Sequence, residues 1–90
     1  MQITQGGTPV IVFLLVSSAD SRTALTGAAP TVTLSKAGGA FAAAAGAVTE
    51  VGSGFYKVSL SSAETNTLGA LALVATATGA DPWRDLHQVV

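Results

Sequence analysis

The stretch that decides the fold is Thr31 to Leu60, TVTLSKAGGAFAAAAGAVTEVGSGFYKVSL. Short apolar runs rich in Val, Thr and aromatic residues are interrupted at Ala37-Gly38-Gly39 and again at Gly52-Ser53-Gly54. A short connection bearing Gly lets an antiparallel partner return at once, because Gly adopts the positive φ of such turns without a Cβ penalty. The stretch therefore reads as consecutive β-hairpins. Val32 and Leu34 alternate with Thr31, Thr33 and Ser35, and Tyr56, Val58 and Leu60 alternate with Lys57 and Ser59, the pattern of strands buried on one face. Between them Ala42 to Ala45 has helical propensity, but Gly38, Gly39 and Gly46 hem it in too closely for a helix to nucleate. A flat or irregular sheet edge is expected there.

Upstream, Thr8-Pro9 leads into Val10-Ile11-Val12-Phe13-Leu14-Leu15-Val16. Val10, Val12, Leu14 and Val16 fall on one side of a strand and Ile11, Phe13 and Leu15 on the other, so both faces need cover. The run followed by Ser17-Ser18-Ala19 has the outline of a secretory apolar segment, yet Met1 to Pro9 contains no Lys or Arg and holds Gly6, Gly7 and Pro9. A doubly buried strand is the preferred reading. Residues 1–7 form an N-terminal arm or edge strand anchored by Ile3, and residues 8–90 a single β domain. The polar connection Ser17 to Ala29 is long enough to cross between two sheets. Downstream, Ser61-Ser62-Ala63-Glu64 fits a capping box and predicts one short helical turn. Ala70 to Thr78 and Trp83 to Val90 complete the strands, separated by Gly79-Ala80-Asp81-Pro82. Leu86 and Val90 share one face of the last strand; Asp85, His87 and Val89 share the other.

Ninety residues support one domain with a modest core. Only 10% of them are charged while 49% are hydrophobic, and much of the apolar share is Ala, which buries little area. Leu14, Leu34, Tyr56, Val58, Leu73 and Leu86 are the expected core. A net charge of −1, with Arg22, Lys36, Lys57 and Arg84 dispersed along the chain, excludes the dense positive footprint that nucleic acid requires. No segment is long enough to span a bilayer, so neither nucleic acid nor membrane is an expected partner. With so little charge, burial of surface in an assembly is the economical route to solubility. The absence of cysteine excludes disulfides and thiolate metal sites.

Candidate chemistry is sparse. Asp81, Asp85 and His87 combine oxygen and imidazole donors, but no second His or acidic cluster completes a coordination sphere, and a polar turn with a solvated strand face is the plainer account. Glu50 and Glu64 act as a carboxylate pair only if the fold unites them; a strand-surface charge and a cap are the simpler roles. No G-x-S-x-G elbow accompanies His87, and neither Gly-rich turn has the spacing or lysine of a phosphate loop. Trp83 stacks on a sugar or fills a neighbour's pocket or, more simply, anchors the core or its rim. No catalytic residue, metal site or cofactor is assigned.

Pro30-Thr31-Val32-Thr33-Leu34-Ser35-Lys36, Gly38-Gly39-Ala40-Phe41, Gly46-Ala47-Val48-Thr49-Glu50-Val51-Gly52 and Gly54-Phe55-Tyr56-Lys57, continuing through Leu60, Glu64-Thr65, Leu68-Gly69 and Ala75 to Pro82, resemble a small β domain of tailed-bacteriophage and prophage structural proteins. Ile3-Thr4-Gln5-Gly6 with the apolar strand after it is loosely similar to N-terminal domains of baseplate upper proteins. The resemblance implies a virion component in capsid decoration, neck, tail or baseplate. Phe55 stands where many relatives carry Trp.

Together these readings predict an all-β protein, a small antiparallel β-sandwich of about seven strands with one short helical turn. It is expected to be a non-catalytic virion structural subunit, a homo-oligomer that docks on other virion proteins through low-charge β surfaces, with Ile3, Phe41, Phe55 and Trp83 as contacts. A carbohydrate-binding or adhesion module using Trp83, Tyr56 and Asp81 is the alternative.

Overall fold

A computed structural model describes residues 2–90; Met1, the first residue of the expected arm, lies outside the described residues. Eight strands form two sheets, one more strand than expected: β1 (Gln2–Ile3), β2 (Val10–Leu14), β3 (Thr31–Lys36), β4 (Ala42–Ala43), β5 (Val48–Gly52), β6 (Phe55–Ser59), β7 (Gly69–Thr76) and β8 (Trp83–Val89). The larger sheet has the order β1-β8-β7-β3-β4 and the smaller the order β2-β6-β5. Every pairing is antiparallel except that of β1 with β8, which brings the two ends of the chain side by side.

Both Gly-marked turns make hairpins, one in each sheet. Ala37 and Gly38 have φ of 50° and 82°, and Ser53 and Gly54 have φ of 54° and 85°. Positive φ at both central residues is what a type I′ turn requires, and its twist suits the flanking strands. The Ala-rich run supplies only the two-residue edge strand β4, paired with Thr33 and Leu34, before the chain crosses to the smaller sheet.

The core lies between the sheets: Ile11, Phe13 and Leu15 from the β2 region, Tyr56, Val58 and Leu60 from the β6 region, Val32 and Leu34 from β3, Leu71, Leu73 and Ala75 from β7, and Val89 from β8. Phe13 stacks on Tyr56 with ring centroids 5.9 Å apart and on Trp83 at 5.0 Å, so β2 packs over β8. Leu34, Tyr56, Val58 and Leu73 are core residues as expected.

Leu14 and Leu86 are not. Leu14 is 40% exposed and Leu86 61%. The register of β7 against β8 places His87 opposite Leu71 and Leu86 opposite Ala72. Leu71 points inward, so His87 goes inward with it and Leu86 is turned out. Ile3 is also displaced from its expected role: at 3% exposure it belongs to the core of the fold and is not an outer contact. The expected double burial of β2 is half realised, with Ile11 and Phe13 sealed while Val10, Val12 and Leu14 face outward.

No helix occurs among the described residues. The predicted helical turn is a hydrogen-bonded turn in which the Glu64 N–H donates to the Ser61 carbonyl at 3.0 Å. The Glu64 carboxylate does reach back to accept the Ser61 N–H at 2.8 Å, as a capping box would. Its other oxygen accepts the Ala45 N–H at 3.0 Å, and the buried Thr65 hydroxyl donates to the Gly7 carbonyl at 2.6 Å. Tied on both sides and followed by Asn66-Thr67, the segment lacks the length that would offset helix nucleation.

Candidate functional site

The outer face of the smaller sheet starts from β2. Side chains alternate across a strand, so sealing Ile11 and Phe13 forces Val10, Val12 and Leu14 to the opposite side. Register sets their neighbours on β6: Leu14 lies opposite Phe55, Val12 opposite Lys57 and Val10 opposite Ser59. Phe55 is about half exposed, and Val51 adds a further exposed side chain at the bulge between Glu50 and Gly52. Lys57 is the single charge in this row of β2 and β6 residues, and its alkyl stem can lie along the apolar ones.

The outer face of the larger sheet is similar in character. Ala72, Val74, Arg84, Leu86 and Phe41 line an open trough of about 530 Å³ with Leu73 and Asp85. Small side chains of β7 form its floor, while Phe41 and Leu86 project beside it. Arg84 and Asp85 supply its only charges. Each sheet thus turns a weakly charged, partly apolar face to its surroundings, a composition that in soluble proteins marks contact surfaces more often than catalytic ones.

The groups with chemical potential are placed otherwise. His87 is buried on the inner face of β8, its Nε2 3.4 Å from an Asp85 carboxylate oxygen, and neither ring nitrogen has a hydrogen-bond partner. Burial pushes its pKa below the ordinary value, and the Asp85 carboxylate only partly opposes this. The imidazole is thus sequestered, with no hydroxyl within hydrogen-bonding distance of either ring nitrogen. Asp85 and His87 are the close pair of the predicted trio, and no group of three or more His, Cys, Asp or Glu among the described residues is arranged to hold a metal ion.

Glu50 and Glu64 each accept from different backbone donors. Glu50 accepts the Gly27 N–H at 3.1 Å, and Glu64 is buried with its two backbone donors. The residues proposed for a sugar platform are not presented together. Tyr56 is enclosed, its hydroxyl donating to the Leu25 carbonyl at 2.7 Å and accepting the Ala28 N–H at 3.1 Å. Trp83 is half-buried against Phe13, which leaves it at the core rim.

Of the expected contacts, Phe41 and Phe55 are exposed, one on each outer face. Val10, Val12, Leu14 and Leu86 are also exposed and were not among the expected contacts. The signal for the first three was present as the apolar side of a doubly greasy strand, whose cover the sequence left open between a second sheet of the fold and a neighbouring subunit; of the three, Leu14 alone was expected in the core. No helix among the described residues is long and apolar enough to cross a membrane.

No protein-family model matches the chain, and no curated protein matches it.

Proposed function

We propose that this protein is a non-catalytic structural subunit of a bacteriophage particle, joined to neighbouring capsid or tail proteins through the outer faces of its two sheets. The observation that carries this is the row Val10, Val12, Leu14 and Phe55, apolar side chains that the fold orders and leaves in contact with water. Exposing them is unfavourable by roughly 25 cal/mol for each Å² of apolar surface, and covering them with another subunit recovers that energy at every copy. Burial of His87, Glu64 and Tyr56 within the fold, where each serves packing or backbone satisfaction, also supports a role without chemistry. The assignment to a phage particle, rather than to another assembly, rests on the resemblance of residues 30–82 to small β domains of such particles.

Cryo-electron microscopy of the phage particle whose genome encodes this chain tests the proposal. Density for the sandwich in capsid, neck, tail or baseplate, with the β2 face against a neighbour, is expected. Infectious particles without such density would overturn it.

A further inference from the structure

We infer that His87 is an acid-operated latch on the N-terminal arm: uncharged, its imidazole lies in the core with the arm docked along β8. On taking up a proton the ring turns out to water, and residues 2–6 come away ahead of global unfolding. The inference goes beyond the reading of the protein as a particle subunit, which assigns no response to acid, and the two stand or fall separately.

His87 is the exception among the buried polar side chains. The Ser35 hydroxyl donates to the Gly39 carbonyl at 2.6 Å, the Thr65 hydroxyl to the Gly7 carbonyl at 2.6 Å, and Glu64 accepts the Ser61 and Ala45 N–H groups. Both ring nitrogens of His87 are enclosed, yet neither has a hydrogen-bond partner among the described residues. A neutral imidazole carries one N–H, so the closed fold holds a donor and an acceptor unmet, at a cost in stability. Protonation turns the acceptor into a second donor and adds a charge. The nearest acidic group is the Asp85 carboxylate, with Oδ2 3.4 Å from Nε2 and Oδ1 accepting the Leu86 N–H at 2.8 Å. Asp85 is about half exposed, so it marks the side on which the ring meets water.

The surroundings favour the neutral ring. β7 on one flank of β8, β1 on the other, and β2, which packs over it through Phe13 and Trp83, contain no ionisable side chain. On β8 itself Arg84 falls on the opposite face. Glu64, in the turn bonded to the arm, is engaged with its two backbone donors. Burial, the largest influence, holds the folded pKa below the ordinary 6.5; Asp85 opposes that shift and the amino-terminal charge adds to it. A state with the ring in water therefore binds the proton more tightly than the closed one. Closure is stable above about pH 6.5 and weakens as pH falls below it.

The arm is the element that yields, because it is the weaker flank of β8. β7 pairs with β8 without a break from Gly69 to Ala75, whereas β1 pairs at two positions, Gln2 with Gln88 and Ile3 with Val89. His87 sits one position before the first of these, so departure of the arm opens the flank of the core next to the ring. Ile3 is the arm's buried side chain. Backbone bonds hold the rest: the Val90 N–H donates to the Ile3 carbonyl at 2.8 Å, the Gln5 N–H to the Val90 carbonyl at 2.9 Å and the Gly6 N–H to the Thr65 carbonyl at 2.9 Å. Gly6, at φ 75°, and Gly7 supply the bend about which the segment moves. Segments with so few buried apolar contacts open at free energies well below the global one, and the core contributed by β2, β3, β6 and β7 stays packed.

Amide protection factors measured on the intact chain between about pH 7.5 and pH 5, with the His87 ring followed by NMR over the same range, test the latch. His87→Leu, which takes up no proton, is the comparison. The Gln5, Gly6 and Val90 amides are expected to lose protection about tenfold for each pH unit below the ring's titration midpoint, while the amides that join β3 to β7 stay protected. H87L is expected to keep its arm docked down to pH 5. Arm amides as protected at pH 5 as at neutrality would overturn the latch, as would loss of protection in every strand at once or a loss whose midpoint differs from that of the ring. An equal loss in folded H87L would overturn it too.

Discussion

Val12 and Phe13 are adjacent in the chain and opposite in surroundings: Phe13 is 2% exposed, stacked between Tyr56 and Trp83, while Val12 is 55% exposed beside Lys57. One strand thus holds the core together with one side and offers an apolar row to its surroundings with the other. The two sides respond differently to substitution. Phe13→Ala should cost about 3–5 kcal/mol of unfolding free energy, the range for emptying an aromatic core site, whereas Val12→Thr should stay within about 0.5 kcal/mol. Chemical denaturation of both variants as dilute protein reads the contrast; comparable losses would contradict it.

Tyr56 ties the long connection before β3 to the core. Its hydroxyl satisfies both the Leu25 carbonyl and the Ala28 N–H, so Tyr56→Phe leaves a part-buried donor and acceptor without their partner. A loss of about 1–3 kcal/mol is expected, with the Ala28 amide exchanging faster than in the unaltered protein. Unchanged exchange at Ala28 would show that the hydroxyl does not hold the segment.

Glu64 clamps the Ser61 turn to the loop after β4. Glu64→Gln keeps the size but replaces one accepting oxygen with a donor facing a backbone N–H, and should cost about 1.5–3 kcal/mol by thermal or chemical unfolding. A neutral substitution would mean that the turn and the loop are held independently.

Gly46 passes so close to β6 that a Cβ would lie 2.2 Å from the Ser59 carbonyl oxygen, a backbone atom that cannot swing aside. Gly46→Ala should therefore destabilise by about 1–3 kcal/mol, as overpacking does. The neighbouring Ala45→Gly change provides no such clash and serves as the comparison in the same melts.

Acidification acts first through His87. Its folded pKa lies below the ordinary value of about 6.5, so the unfolded chain binds that proton more tightly than the folded one. The contribution is complete above about pH 6.5 and is lost as pH falls through that value toward the lower folded pKa. Asp20 acts later. The Thr23 hydroxyl, with the Thr23 and Arg22 N–H groups, holds its carboxyl down to about 2, so stability present above about pH 4 is lost as pH falls toward 2. Melting temperature should fall between pH 7 and 5, and His87→Leu should flatten that part of the curve while leaving the Asp20 part in place. A flat profile from pH 7 to 5 in the unaltered protein would contradict the burial of a neutral imidazole.

Local pattern carried the architecture a long way. The two turn sites, the one-sided strands β3 and β6, and the extended final strand follow from alternation and from residues that accept positive φ. What alternation cannot say is which face of a strand meets the core when both faces are apolar or when the face holds mixed residues. In β2 both sides are greasy, and only the position of β8 beneath it selects Phe13 over Leu14. In β8 hydrophobicity favours Leu86 for the interior, yet pairing with β7 turns His87 inward instead. β1 was legible as an arm or edge strand without its partner, because that partner lies at the far end of the chain and parallel pairing has no local signal. The same ambiguity hid the exposed row: Leu14 read as core, yet it lies with Val10 and Val12 on the face that the second sheet leaves uncovered.

Covalent footprinting with a carbene reagent, comparing dilute protein with the assembled particle, tests most directly whether that uncovered row is a docking surface. Labelling of Val10, Val12, Leu14 and Phe55 should fall severalfold on assembly, while Asp20 to Thr23 in the exposed connection label equally in both states. Equal labelling of the β2 row in the dilute and assembled states would contradict the account.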